Sequence, residues 1–279
     1  MKKNKIIILS IIIVSLCFGT GALLSNIYKK SQKINEKSKA LNKKMENEKK
    51  LSNKSSAKVT EENKNINIKE KRNKICIDPG HQEKADLKTE EIAPGSSQKK
   101  ARVQGGATGI ATKKPEYKLT LEIGLKLKDV LQSKGYDVFM VREKNDVNIS
   151  NKERALMTNK AGCAVFLRLH ADAGGSGATG ASMITSSVKN PNTKAIQQSS
   201  DKFSKTVLEE YIKATGFKNR GISYRDDLTG TNWSTVTNTL IEMGFLSNPE
   251  DDKKMSSPKF QDMMVNGIVN GIEKYLLKK

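Results

Sequence analysis

Two histidines are the entire imidazole complement of this 279-residue chain, and each closes an apolar run. His81 ends Ile75-Cys76-Ile77-Asp78-Pro79-Gly80-His81, and His170 ends Val165-Phe166-Leu167-Arg168-Leu169-His170. Neutral imidazole is a favoured ligand of zinc, so two histidines placed alike point to a shared metal site. Placement alone is equally consistent with two ordinary strand-end histidines, each with a local hydrogen bond. The sequence has no H-E-x-x-H and no Cys/His finger pattern, so a metal here needs a third ligand from a separate segment.

Glu116 is the candidate. Leu119, Ile123, Leu127 and Val130 recur at helical spacing and mark a buried face. Glu116 stands one turn ahead on that face, at a helix N-terminus whose dipole favours a carboxylate. Charge complementarity in the first turn would place a glutamate there as well. Glu122 lies off the stripe, and Lys126, four residues on, reads as its exposed ion-pair partner. A second carboxylate, Glu242, closes the apolar run Thr239-Leu240-Ile241-Glu242. In α/β sheets ligands bind at the carboxyl ends of strands, where His81, His170 and Glu242 would all fall. A buried glutamate paired with Lys or Arg is the structural alternative. Two histidines and one carboxylate leave a zinc position open, as catalytic zinc requires. With no third histidine, a carboxylate is the natural choice for the general base, and Glu242 is the candidate.

The elements that would position these groups alternate along the chain. Strands are expected at 74–78, 136–142, 163–169, 180–186 and 238–243, and helices at 116–134, 150–161, 193–214 and 257–277. Ser150 and Glu153 have the spacing of a capping box, and Gly135 follows a helix as a C-cap glycine would. This pattern predicts an α/β fold with a twisted, largely parallel sheet flanked by helices. Residues 82–115 interrupt it with a long insertion rich in Gly, Lys and Ser. The insertion leaves directly after His81 and returns directly before Glu116, so it is expected to form part of a substrate groove. Lys99, Lys100 and Arg102 would be available there to meet carboxylates. Cys17, Cys76 and Cys163 read as small core hydrophobes, with no disulfide framework and no CxxC.

Three segments follow from composition: 1–28, 29–73 and 74–279. Lys2, Lys3 and Lys5 precede an apolar stretch from Ile6 to Leu24, close to the ~20 residues that span a bilayer. It reads as an uncleaved transmembrane anchor, with a signal peptide cleaved near Ala22 as the alternative. Residues 29–74 hold 16 Lys/Arg against 6 Glu, about half of the net charge of +20. That stretch cannot bury enough apolar surface to offset its chain entropy and reads as a solvated basic linker. A linker of this kind would favour an anionic surface. It lacks the aromatic residues that stack on bases, which argues against nucleic acid.

Four segments, in order, resemble the signature segments of zinc-dependent N-acetylmuramoyl-L-alanine amidases. They are Asp78-Pro79-Gly80-His81, the Glu116 helix, Phe166-Leu-Arg-Leu-His170-Ala-Asp172 and Leu240-Ile-Glu242-Met-Gly-Phe-Leu-Ser-Asn248, with Val141-Arg142 and Asn148 to Ala155 between them. The resemblance covers residues 74–277. It implies that His81, Glu116 and His170 hold zinc, that Glu242 is catalytic, and that the substrate is the amide between muramic acid and L-alanine in peptidoglycan. It further implies a catalytic domain outside the cytoplasm, attached to the membrane by the N-terminal helix or secreted, with anionic wall polymers as neighbours. A catalytically inactive wall-binding protein of the same fold and a zinc peptidase acting on another amide are the competing readings. The chain departs from the family at Gln82-Glu83-Lys84, where a Gly-rich turn is usual, in its long insertion, and at Arg168, where a small polar residue is common. Arg142 and Arg154 are expected to be salt-bridged structural residues.

Overall fold

The computed structural model describes residues 74–175 and 177–277. The anchor and linker expected at residues 1–73 lie outside these. Among the described residues no helix is long and apolar enough to cross a membrane.

Six strands form one sheet. β1 (Lys74–Pro79), β4 (Asp137–Met140), β5 (Val165–Asp172) and β8 (Asn238–Phe245) run parallel, in the order β4-β1-β5-β8. β6 (Ala181–Thr185) lies antiparallel against β8, and β7 (Asn219–Tyr224) is parallel to β6 at the edge. The sheet is therefore mixed, with its parallel part in the place the sequence predicts. Among the described residues six α-helices accompany the strands: α1 (Glu116–Ser133), α2 (Asn151–Ala161), α3 (Gln197–Thr215) and the one-turn α4 (Thr229–Asn232) between strands, and α5 (Pro249–Ser256) and α6 (Pro258–Leu277) after the last.

Strand parity divides the side chains between the two faces. Ile75, Ile77, Leu167, Leu169, Ile241 and Met243 face α1, α3 and α6 and build the large core. The alternate residues, Cys76 and Phe166 among them, face α2 in a much smaller cluster. Asp78, Arg168, His170 and Glu242 share this second parity, so they stand on the thinly covered face. Leaving β1, the chain runs through α1 to β4 on one side and returns through α2 to β5 on the other. The strand order thus reverses between β1 and β5, and the crevice at their carboxyl ends is where such sheets bind ligands. His81 and His170 are placed there by topology.

The capping box is present: Glu153 N donates to Ser150 Oγ at 3.1 Å and Ser150 N donates to the Glu153 carboxylate at 2.7 Å. Gly135 follows α1 with φ 85°. Other expectations are corrected. Cys76 and Cys163 form a disulfide, with Cα atoms 5.8 Å apart. The two lie 87 residues apart in sequence and meet only because β1 and β5 are neighbours. Glu122 pairs with Lys114 at 2.6 Å, while Lys126 reaches Asp262 on α6 at 2.7 Å, so tertiary partners displace the local pair.

The insertion contains a hairpin, β2 (Asp86–Glu91) and β3 (Lys99–Val103), joined through Pro94-Gly95. Its pairing sets Glu90 opposite Lys100 and Glu91 opposite Lys99, so opposite charges stabilise an almost wholly polar ribbon. The hairpin is fastened to the domain. Trp233 Nε1 donates to Glu91 O at 2.9 Å, Asn151 Nδ2 donates to Arg102 O at 2.8 Å, and Arg102 pairs with Glu153 at 2.9 Å.

Candidate active site

His81, Glu116 and His170 meet where the fold reverses. His81 Nε2 lies 3.1 Å from Glu116 Oε1, His170 Nδ1 lies 3.2 Å from the same oxygen, and the two nitrogens are 3.1 Å apart. The three atoms form a nearly equilateral triangle. Two of the corners are fixed by backbone. His81 Nδ1 lies 2.8 Å from Gln104 O; a proton there leaves the Nε2 lone pair facing the triangle. Glu116 accepts from Ala171 N at 3.0 Å through one oxygen and from Ala107 N at 2.9 Å through the other. His81 itself adopts φ 59°, a left-handed conformation that is uncommon for a side-chain-bearing residue and marks a constrained position.

The donor set fits zinc. Tetrahedral zinc with nitrogen and oxygen bonds of about 2.0–2.1 Å separates its ligands by about 3.3 Å, close to the edges of this triangle. Three acceptor atoms this close repel one another unless a cation or a proton lies among them. Burial opposes protonation of His81, but the Glu116 hydrogen bond and charge outweigh it and raise its pKa. Burial holds His170 neutral, with its pKa lowered to about 4. Burial alone would raise Glu116, yet hydrogen bonds from both histidines keep its carboxyl well below the usual carboxylate range.

Gly80 is dictated by this packing. A Cβ there would fall 2.4 Å from His170 Cε1 and 2.6 Å from Leu169 O. Gly80→Ala should therefore displace the His170 ring and weaken metal binding at least about tenfold, the scale on which supporting contacts act. Competition against a chelator checks this; unchanged affinity would show that the ring position is not critical.

Glu242 lies beside His170 in the parallel register of β5 and β8. Its Oε2 is buried and has no hydrogen-bond partner among the described residues. Burial, then the charges of Glu116 and Asp172, push its pKa well above the ordinary carboxylate value. The structural alternative, a glutamate paired with Lys or Arg, is not what is found. Glu242, His81 and His170 line one cavity of about 410 Å³, walled by Lys100 of the hairpin, Arg168 and Arg225. The hairpin thus forms one side of the groove, as the position of the insertion predicts. Of the three cations expected to meet carboxylates, only Lys100 lines this cavity. Lys99 and Arg102 line a separate hollow of about 450 Å³, which neither the histidines nor Glu242 line.

Beneath the site lies a buried charge cluster. Asp78 accepts from Arg154 at 2.6 Å and from Arg168 at 3.2 Å. Arg154 is salt-bridged as expected. Arg142 is not: among the described residues it bonds carbonyl oxygens, including Pro79 O at 2.8 Å and Tyr117 O at 2.8 Å. Its pKa falls to about 10, chiefly through burial. Asp78→Asn would leave two buried guanidinium groups without their anion and should cost about 3–5 kcal/mol of stability. Burial opposes ionisation of Asp78, but the two arginines hold its folded pKa below the ordinary 3.8. Its contribution is therefore complete above that value and is lost as pH falls toward the folded pKa. Denaturant midpoints of wild type and variant should differ at neutral pH and converge in acid.

Three side chains able to hold a metal ion converge where the mixed sheet reverses, and a buried carboxylate stands beside them in an open groove, an arrangement suited to hydrolysis. The family model for N-acetylmuramoyl-L-alanine amidase matches residues 75–274, and the chain belongs to that family. An N-acetylmuramoyl-L-alanine amidase of Mycobacterium tuberculosis is 27% identical over 209 residues, covering 72% of this chain and 86% of its own. The sporulation-specific amidase of Bacillus subtilis is 29% identical over 208 residues, covering 74% and 69%. Among solved structures, the amidase Ami1 of Mycobacterium smegmatis superposes with a TM-score of 0.67 at 25% identity, covering 74% of this chain and 97% of its own.

Proposed function

We propose that the chain hydrolyses the amide between N-acetylmuramic acid and L-alanine in peptidoglycan, with His81, Glu116 and His170 holding zinc and Glu242 carrying the proton. The triangle of His81 Nε2, His170 Nδ1 and Glu116 Oε1 with 3.1–3.2 Å edges carries this reading. Zinc held there would act as a Lewis acid toward the scissile carbonyl and an attacking water. The chain's own groups supply the rest. The groove between the hairpin and the α4 segment orients the substrate across the site. Glu242, ionised, accepts the proton lost by water as its oxygen bonds the carbonyl carbon. It then delivers that proton to the alanine nitrogen as the C–N bond breaks. Digestion of purified peptidoglycan tests the activity: mass analysis should find free peptides beginning with L-alanine and glycan strands bearing free muramic acid carboxyls. Release of sugars or of shorter peptides instead would sink it.

The catalytic domain belongs outside the cytoplasm on this reading, attached through residues 6–24 with the basic linker facing anionic wall polymers. The Cys76–Cys163 disulfide supports an oxidising compartment. Protease added to intact, wall-stripped cells should remove the domain; protection would contradict the topology, and release into the medium would favour cleavage near Ala22.

A further inference from the structure

The groove that holds Glu242 and the histidines is also lined by three cations: Lys100, Arg168 and Arg225. Arg168 is 4% exposed and only partly spoken for. Its Nε donates to Asp78 at 3.2 Å and its Nη2 to Asn151 Oδ1 at 2.8 Å. Nη1 has no hydrogen-bond partner among the described residues and lies against Gly230, a residue of the cavity wall. A Cβ on Gly230 would stand 2.7 Å from that nitrogen, so the glycine makes room for the guanidinium. Arg168 precedes His170 by two residues on β5 and shares its face. That offset is about 7 Å, the span of two extended residues.

Arg225 stands at the rim, half-exposed. Its Nε and Nη2 donate to Asp227 at 3.0 and 2.8 Å, and Lys100, from the hairpin wall opposite, pairs with the same carboxylate. One anion shared by two cations leaves the mouth of the groove net positive. The acidic groups that face this set are Asp227, Asp78, which Arg154 also neutralises, Glu242 and Asp172.

We propose that Arg168 and Arg225 form a subsite for a carboxylate on the peptide half of the substrate, one residue beyond the L-alanine that cleavage releases. The assignment rests on the amidase reading. Chemistry selects the peptide half, because the only carboxyl of the muramic acid is consumed in the scissile amide. Negative charge near that bond must then come from an acidic residue of the stem. The partnerless Nη1 of Arg168 and the Arg225 guanidinium, whose Nε and Nη2 Asp227 holds in place, present donors only, which suits a carboxylate and disfavours a carboxamide, whose NH₂ would face further donors.

The test uses the full chain and two synthetic N-acetylmuramoyl peptides that differ only in whether the acidic residue after L-alanine carries a free carboxylate or its carboxamide. The wild type should favour the carboxylate by about tenfold or more in kcat/KM, expressed in KM, as binding contacts are. Arg168→Gln and Arg225→Gln should each bring that ratio toward one. A merely structural Arg168 would depress both substrates alike, with a lower Tm and an unmoved ratio. Arg225, exposed, keeps the test open if Arg168→Gln does not fold. Equal wild-type rates on the two peptides, or a wild-type ratio in Arg225→Gln, overturns the subsite while leaving the amidase intact. Cleavage of neither peptide, with peptidoglycan also untouched, overturns the amidase reading and the subsite with it.

Discussion

A His170→Ala protein should purify folded but almost free of zinc, and it should release no peptide from peptidoglycan. The ring sits at one corner of a three-atom triangle in which each atom touches both others at 3.1–3.2 Å, so no neighbour can take its place. His170 is neutral at pH 7 because burial lowers its pKa to about 4, which leaves a lone pair free for the ion at physiological pH. Loss of a supporting contact to a zinc ligand typically costs about 10–100-fold in affinity, and loss of the ligand itself should exceed that. Removing the ring also deletes a large part of the wall beside Gly80 without disturbing the main core, which lies on the other face of the sheet. Metal analysis after dialysis, paired with a thermal melt, checks the prediction. Full zinc stoichiometry in a folded His170→Ala protein would mean that the ion lies elsewhere. Because ligands bind metal only when deprotonated, zinc occupancy of the wild type should also fall as pH drops, releasing the ion by competition with protons.

The convergence of the four site residues was legible because it follows from rules of parity and topology. Alternation places Arg168 and His170 opposite Leu167 and Leu169, and Glu242 opposite Ile241 and Met243. The alternation of strands and helices places strand ends together. Glu116 is legible from its helical phase, and the hydrogen bonds from His81 and His170 explain why a carboxylate can stay ionised there. What escaped the sequence is what tertiary context decides. The β2–β3 hairpin has almost no apolar alternation, and its stability comes from cross-strand charge pairs and from Trp233 and Asn151, distant residues whose partners no local pattern reveals. The strand β7 is an edge strand with a mostly exposed sequence, so it carries no signal of burial. The reversal of β6 leaves no mark in composition. The disulfide needed the β1–β5 adjacency before two buried cysteines could be told from core hydrophobes. Arg142 was expected to have an anion and instead satisfies carbonyls around Gly80 and Tyr117, which is how a buried guanidinium can be accommodated without a salt bridge. These are long-range facts, and each becomes available only after the sheet order is known.

Glu242→Gln should keep the fold and the zinc and lose about 10²–10⁴-fold in turnover, the range in which general acid–base groups contribute. The substitution preserves shape and removes only the ability to carry a proton. The carboxylate is suited to that task because it is buried in the groove wall, has one oxygen without a partner among the described residues, and stands next to His170 in register. Its raised pKa has a physical origin in burial and in the nearby negative charges of Glu116 and Asp172, and a cation among the ligands would oppose that rise. The sign of the pH effect follows. Glu242 accepts the proton of water only when ionised, so kcat/KM should fall as pH drops through its pKa. In Glu242→Gln that acidic limb should vanish, leaving a low rate whose remaining pH dependence is that of zinc retention. The measurement is kcat/KM against pH for both proteins at matched zinc content, with denaturant midpoints recorded alongside. A variant that hydrolyses peptidoglycan at the wild-type rate, or that keeps the wild-type acidic limb, would reduce Glu242 to a structural residue. The proton would then have to travel through another group of the groove, with Asp172, whose charge already bears on Glu242, the next to replace.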